Sequence, residues 1–264
     1  MRPLSARNPR VQRLARLVRR REERAGQRAL VVEGPTLVAA ALDGGLRVRD
    51  AYVDAEAVDH PAVLDVLERL GPDVEVWELP TGVLDRVGDV AASQGIVAVV
   101  ERPEASWPVP EAAPFVVVLA ELADPGNVGT LIRAAVAAGA GAVVVAGGVD
   151  PTSPKVVRSS AGACFAVPVV DGPPPGEALA RLRGDGYRTA AAVVRDGIPH
   201  TEADLATPLA LVLGSEAHGL DAEVADAADL RVTIAMAGPA ESLNVAMAGT
   251  VLCFEVLRRQ AGHR

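Results

Sequence analysis

Cysteine is nearly absent from this sequence. Cys164 and Cys253 are the only two and both lie in apolar segments, so neither a disulfide framework nor a Cys/His zinc site is supported, and a reducing, cytoplasmic setting is expected. No apolar run approaches the length of a membrane span, and the N-terminus lacks the uninterrupted apolar block of a signal peptide; the expectation is a soluble chain with no membrane partner. His60, His200 and His263 have no assembling partners, so no metal is expected. Nucleotide-binding loops are missing too: Gly126-Asn-Val-Gly129 is not G-x-G-x-x-G, which argues against a dinucleotide-dependent oxidoreductase, and there is no P-loop. Lys155 is the only lysine, a bias that genome composition explains as readily as function.

What is present begins with length and apolar content. At 264 residues, 50% of them hydrophobic, the chain can bury a sizeable core and is expected to form two domains. The net charge of −8 is unevenly spread: residues 1–28 carry ten arginines against Glu22 and Glu23, a local +8, leaving −16 on the rest. An arginine-dense helix can bind phosphates by charge and bidentate hydrogen bonds, which makes Arg10, Arg13 and Arg20 candidate RNA contacts. Val11, Leu14, Leu17 and Val18 also give this segment an apolar stripe. A docked amphipathic helix, a membrane-surface helix and an organellar presequence therefore remain open.

From residue 29 the pattern alternates. Strand-like runs at 29–33, 48–53, 74–77 and 96–100 are separated by helical patterns, and 102–113, rich in proline, reads as a linker between a first domain, 1–101, and a second, 114–264. Beyond it, β-branched runs at 115–120, 142–146, 189–194, 209–213 and 231–235 alternate with helices, which implies an α/β domain with a mostly parallel sheet covered on both faces.

Three of these runs break into polar loops: Asp124-Pro-Gly-Asn-Val-Gly-Thr-Leu-Ile-Arg133, Gly214-Ser-Glu-Ala-His-Gly-Leu220 and Ile234-Ala-Met-Ala-Gly-Pro-Ala-Glu-Ser-Leu-Asn-Val245. In open α/β sheets such loops sit at the carboxyl ends of the strands, where ligands bind. Their content, Asn127, Gly129 and Arg133; Gly214, Glu216, Gly219 and Leu220; Ser242 to Val245, resembles the three motifs of the SpoU/TrmH branch of the SPOUT RNA 2′-O-ribose methyltransferases, over about residues 114–258. Lys155 to Ala163 is similar to a further family segment that places Arg158 and Ser160 toward RNA, and 29–42 looks like the start of an L30-like substrate-binding domain.

The resemblance implies a trefoil-knotted catalytic domain, S-adenosylmethionine as cofactor, a homodimer, and RNA as substrate, 23S ribosomal RNA first, transfer RNA as the alternative. A catalytically idle RNA-binding protein on the same scaffold is the other reading. Gly214, Ile234, Met236, Gly238 and Leu243 are the implied cofactor contacts, and Arg133 the implied catalytic group. Arginine does not deprotonate in proteins, so it is read as binding a phosphate or stabilising a developing alkoxide, reaching back toward the loop from the helix that begins near Val128. Asn127 and Asn244 are expected to orient substrate and loop, and Glu216 to order a loop or face the substrate. Ser242 is read equally as the cap of the last helix and as a substrate contact. His218, at a variable motif position, is read as RNA-facing or incidental rather than as a base. Where the family commonly has Ile-Pro-Met this chain has Ile234-Ala-Met236, which removes one source of loop stiffness and is expected to loosen cofactor affinity. The charge-free run Val245 to Phe254 must be covered on essentially every side, with Ala246, Ala248 and Gly249 expected to admit a second helix.

Overall fold

The computed structural model describes residues 1–88 and 93–261, so His263 lies outside the described residues. In chain order the elements are β1 (Arg2–Pro3), α1 (Pro9–Arg19), α2 (Arg21–Gln27), β2 (Ala29–Glu33), α3 (Pro35–Asp43), β3 (Val48–Asp54), α4 (Pro61–Arg69), β4 (Glu75–Leu79), α5 (Val83–Val87), β5 (Ile96–Glu101), β6 (Phe115–Ala120), α6 (Pro125–Ala137), β7 (Ala142–Ala146), α7 (Pro154–Ser159), β8 (Val169–Gly172), α8 (Pro175–Gly184), β9 (Arg188–Ala192), β10 (Ile198–Pro199), β11 (Leu209–Leu213), α9 (Ala222–Ala227), β12 (Leu230–Thr233) and α10 (Val245–Ala261). They form two compact units: Met1–Glu104 with Thr152–Phe165, and Ala105–Pro151 with Ala166–Arg264.

The first unit is a five-stranded mixed sheet in the order β1-β4-β3-β5-β2. The arginine-rich segment is part of it. Asn8 caps α1 by accepting the Arg10 N–H, and Val11, Leu14, Leu17 and Val18 are buried against Tyr52, Trp77, Leu79 and Val97. Full burial of a leucine contributes about 1.5–3 kcal/mol, so Leu14 and Leu17 are a large part of what holds the helix to the sheet. Arg24, 3% exposed, donates to the carbonyls of Leu17 and Val18 at the end of α1 and to Thr152 Oγ1. The arginine-rich segment thus packs as a docked amphipathic helix, one of the readings its apolar stripe left open. On the other face of the sheet, Val157 of α7 joins Leu37, Val38, Val63 and Val100 in one core, with Phe165 against it. Residues 152–165, read as part of the second domain because they follow β7 in sequence, therefore pack as part of the first.

The second unit is a seven-stranded, wholly parallel sheet in the order β10-β12-β9-β11-β6-β7-β8. β6, β7 and β11 are buried along their whole length, as sheets covered on both faces require. Strand alternation sends Val116, Val118 and Val212 to the α8 and α9 side, in one core with Leu179, Leu182 and Val224. Leu213 faces the other side with α6 and α10, where a Cβ at Gly249 of α10 would lie 2.6 Å from Leu213 Cδ1 and 2.3 Å from Leu131 Cδ2. Glycine there lets α10 approach α6 and β11 closely. From 105–113, Trp107 anchors onto α8, donating to Asp185 at 2.9 Å beneath the Arg181 guanidinium at 4.2 Å. Strand order reverses between β6 and β11, and the loops leaving their carboxyl ends are the first two motif loops.

Candidate active site

The three polar loops converge at that reversal through one chain of hydrogen bonds. Glu216, after β11, accepts from the backbone N–H groups of Ala123 (3.1 Å) and Asp124 (3.3 Å) and from Asn127 Nδ2 (2.9 Å). Asn127 Oδ1 in turn accepts from Asn244 Nδ2 at 3.3 Å, and Asn244 Oδ1 accepts the Ala246 N–H at 2.9 Å. The polarity of the whole chain follows from its first member: an ionised carboxylate only accepts, so each amide must turn its NH2 toward Glu216 and its oxygen toward α10. Desolvation pushes the Glu216 carboxyl up, but the bonds from Asn127, Ala123 and Asp124 together outweigh it and hold the group below the usual carboxylate range. Glu216 is therefore an ionised clamp, a role left open between loop ordering and substrate contact in the sequence.

Two concave spaces flank this chain. The first, about 320 Å³, lies at the carboxyl ends of β9, β11 and β12 and is lined by Gly214, Ile234, Met236, Ser242 and Leu243, with Ala192, Val193 and Val194. It has the size and the largely apolar walls suited to a nucleoside-sized ligand. The loop bordering it is tight: Ser215 and Gly219 exchange two backbone hydrogen bonds of 2.9 Å, and a Cβ at Gly214 would stand 2.3 Å from the carbonyl carbon of Gly219 and the nitrogen of Leu220. The second space is an open cleft bounded by Glu121, Asp124, Asn127, Glu216, His218 and Asn244. Glu121, immediately after β6, holds a left-handed backbone (φ 54°) and lines this cleft. Sequence reasoning missed it, as it missed the wall at 192–194; the one available signal was position directly at a strand end.

Several expected site residues sit elsewhere. Gly238 does not line the cavity, and a Cβ there would meet no protein atom within 4 Å. Asn244, not Ser242, caps α10; Ser242 stays on the cavity wall. Arg133 is exposed on α6 and lines neither space. It lies six residues beyond Asn127, roughly 9 Å along the axis and turned well away from it, so it cannot reach back as expected. Ser160 is fully buried, its hydroxyl donating to the Val157 carbonyl, and cannot touch RNA. Arg158 is paired with Glu33 at 3.2 Å.

Arg10 pairs with Glu75 and stacks 4.5 Å over Trp77, and Arg13 pairs with Asp50, so both charges are already neutralised by carboxylates. The Arg20 side chain makes no hydrogen bond or ion pair among the described residues and is exposed. His60 caps α4 through the Ala62 N–H. Among the described residues no cluster of three potential metal ligands occurs, and no helix is long and apolar enough to cross a membrane.

A parallel α/β sheet that gathers three strand-end loops around a nucleoside-sized cavity defines a ligand-binding enzyme of the open-sheet class. The profile of the SpoU rRNA Methylase family matches residues 114–254, and the chain belongs to that family; residues 8–98 match the MRM3-like substrate binding domain. The 23S rRNA (guanosine(2553)-2′-O)-methyltransferase RlmP of Bacillus subtilis is 30% identical over 237 residues, 89% of this chain and 91% of that protein. The 23S rRNA (uridine(2479)-2′-O)-methyltransferase of Streptomyces viridochromogenes is 30% identical, covering 100% of this chain and 94% of its own. Among solved structures, the SpoU methyltransferase AviRb of Streptomyces viridochromogenes in complex with AdoMet superposes with a TM-score of 0.86 at 31% identity, over 98% of this chain and 100% of that one.

Proposed function

We propose that this protein is an S-adenosylmethionine-dependent RNA ribose-2′-O-methyltransferase acting on 23S ribosomal RNA as a homodimer. The observation that carries the reading is the Glu216–Asn127–Asn244 chain, which ties all three motif loops together where the cavity opens on the cleft. Gly214, Ile234, Met236 and Leu243, with residues 192–194, are the groups that would hold the cofactor. When bound, it supplies a methyl group on a positively charged sulfonium. The residues around it orient the acceptor ribose and exclude water. Alkaline digestion of RNA labelled in the methyl group tests the assignment, because strand cleavage needs a free 2′-oxygen. Label is expected in alkali-resistant dinucleotides of 23S RNA; label confined to bases overturns ribose transfer, and label confined to transfer RNA overturns the ribosomal substrate.

The charged groups lining the cleft are Glu121, Asp124 and Glu216, all carboxylates, a poor lining for a polyanion. A cation from outside the chain would complete it. Arg133 of a second copy supplies one if α6 and α10 form the interface, and α10 has a face for this. Ala246, Gly249, Leu252 and Val256 are buried within the chain, while Met247 (62% exposed), Val251, Phe254 (46%) and Leu257 form an exposed apolar stripe. That stripe, rather than the small residues Ala246 and Gly249, is the proposed contact. Phe254→Glu combined with Met247→Glu is expected to give a folded monomer by light scattering, with turnover lost and circular dichroism unchanged; a dimer that survives both substitutions overturns the interface.

A further inference from the structure

Four residues border both the cofactor cavity and the acceptor cleft: Ser215, Glu216, Ala217 and His218. The methyl group and the hydroxyl that receives it must meet where the two spaces join, so any group that takes the hydroxyl's proton must stand at this junction. Ser215 Oγ is engaged with the His218 N–H and the Gly219 carbonyl. Glu216 is held ionised by three donors and uses its oxygens as the loop clamp. Ala217 has no functional group. His218 is anchored through its main chain, is exposed, and its ring makes no hydrogen bond among the described residues.

We infer that the His218 imidazole accepts the proton of the ribose 2′-hydroxyl during methyl transfer. The inference rests on the ribose-transfer reading above. As the hydroxyl oxygen commits an electron pair to the new O–C bond and the S–C pair stays with sulfur, the O–H proton passes to the unprotonated ring nitrogen and from there to solvent. The charged groups that line the same two spaces fit that task. Asp124 is committed as the cap of α6, accepting the Gly126 N–H. Glu121, after β6, lines the same cleft as His218, and Glu241 lines the cavity from the segment before α10. With Glu216 these are four carboxylates and no Lys or Arg among the residues lining the two spaces, so no fixed cation of the lining opposes the imidazolium formed in the step. Arg133, which cannot serve as a base, keeps the separate task of stabilising the oxygen or its neighbouring phosphate.

The test compares wild type with His218→Ala and His218→Gln. Both variants are expected to bind S-adenosylmethionine as wild type does by calorimetry, to lose turnover on the order of a hundredfold, and to lose the acid limb of the pH–rate profile; added imidazole restores part of the alanine variant's rate. In wild type carrying 13C-labelled histidine, the His218 ring resonance is expected to shift when substrate RNA is added in the presence of S-adenosylhomocysteine, which binds without reacting. Wild type that forms ribose methyls while both variants keep their turnover and acid limb overturns the His218 role alone. Wild type that labels only bases overturns the ribose reading and the inference with it.

Discussion

Arg133→Ala is expected to lower turnover by roughly 10²–10³-fold, the loss seen when one donor to a developing oxyanion is removed, while cofactor affinity by calorimetry stays at the wild-type value. The separation of the two effects follows from position: Arg133 lies outside the cavity that Gly214, Ile234 and Leu243 line. Arg133→Lys restores little, because an ammonium lacks the planar two-pronged donor geometry of guanidinium. Since Arg133 also lies outside its own cleft, the loss should be rescued in mixed dimers. Combining Arg133→Ala protomers with Asn244→Ala protomers places both defects in one of the two sites and leaves the other intact. Because half of randomly mixed dimers are heterodimers, activity returns to about a quarter of wild type under two-fold symmetry. Mixtures no more active than their components show that Arg133 acts within its own chain or not at all.

Gly214→Ala is the second large effect, and it falls on the opposite parameter. The added methyl would stand 2.3 Å from main-chain atoms of Gly219 and Leu220, which no rotamer change relieves. The loop must move, and with it the cavity wall and the Glu216 clamp. A wall displaced by about 0.5–1 Å forfeits roughly a quarter to a half of its contact energy with the ligand, and a loss of about 2.8 kcal/mol is roughly a hundredfold in S-adenosylmethionine affinity, the quantity calorimetry measures. Gly238→Ala, with open space around its Cβ, is the matched control and leaves affinity unchanged. Equal affinities for both variants would show that the loop tolerates the crowding.

Much of this was legible in the residues, for identifiable reasons. β6, β7 and β11 announce themselves because strands buried on both faces need unbroken β-branched or leucine-rich runs. β8 does not: Val169-Val-Asp-Gly172 is four residues long and runs into three prolines, too short a pattern to stand out. The polar motif residues were visible as a set, yet their division of labour depends on spatial neighbours. Ser242 and Asn244 are both competent caps, and the choice fell to Asn244 because Asn127 Oδ1 receives its amide. The ion pairs of the arginine-rich start were hidden from the sequence for a similar reason. The carboxylates that neutralise Arg10 and Arg13, Glu75 and Asp50, are 65 and 37 residues away, a pairing no local window contains. The apolar stripe Val11, Leu14, Leu17 and Val18 was the better guide, because burying it is worth more than a set of exposed ion pairs.

Residues 152–165 have a topological consequence. They belong to the first unit by packing while both their covalent neighbours belong to the second, so the polypeptide passes between the units three times. A protease that nicks the proline-rich stretch 105–113 cuts only one of those passages. The two fragments are expected to stay associated on a native sizing column, held by Val157 and Phe165 in the first unit's core, and to part only in denaturant. The same arrangement means that a fragment beginning at residue 114 carries an orphaned segment whose apolar side chains have lost their cover. An excised catalytic half is therefore expected to aggregate unless residues 152–165 are replaced by a short polar turn.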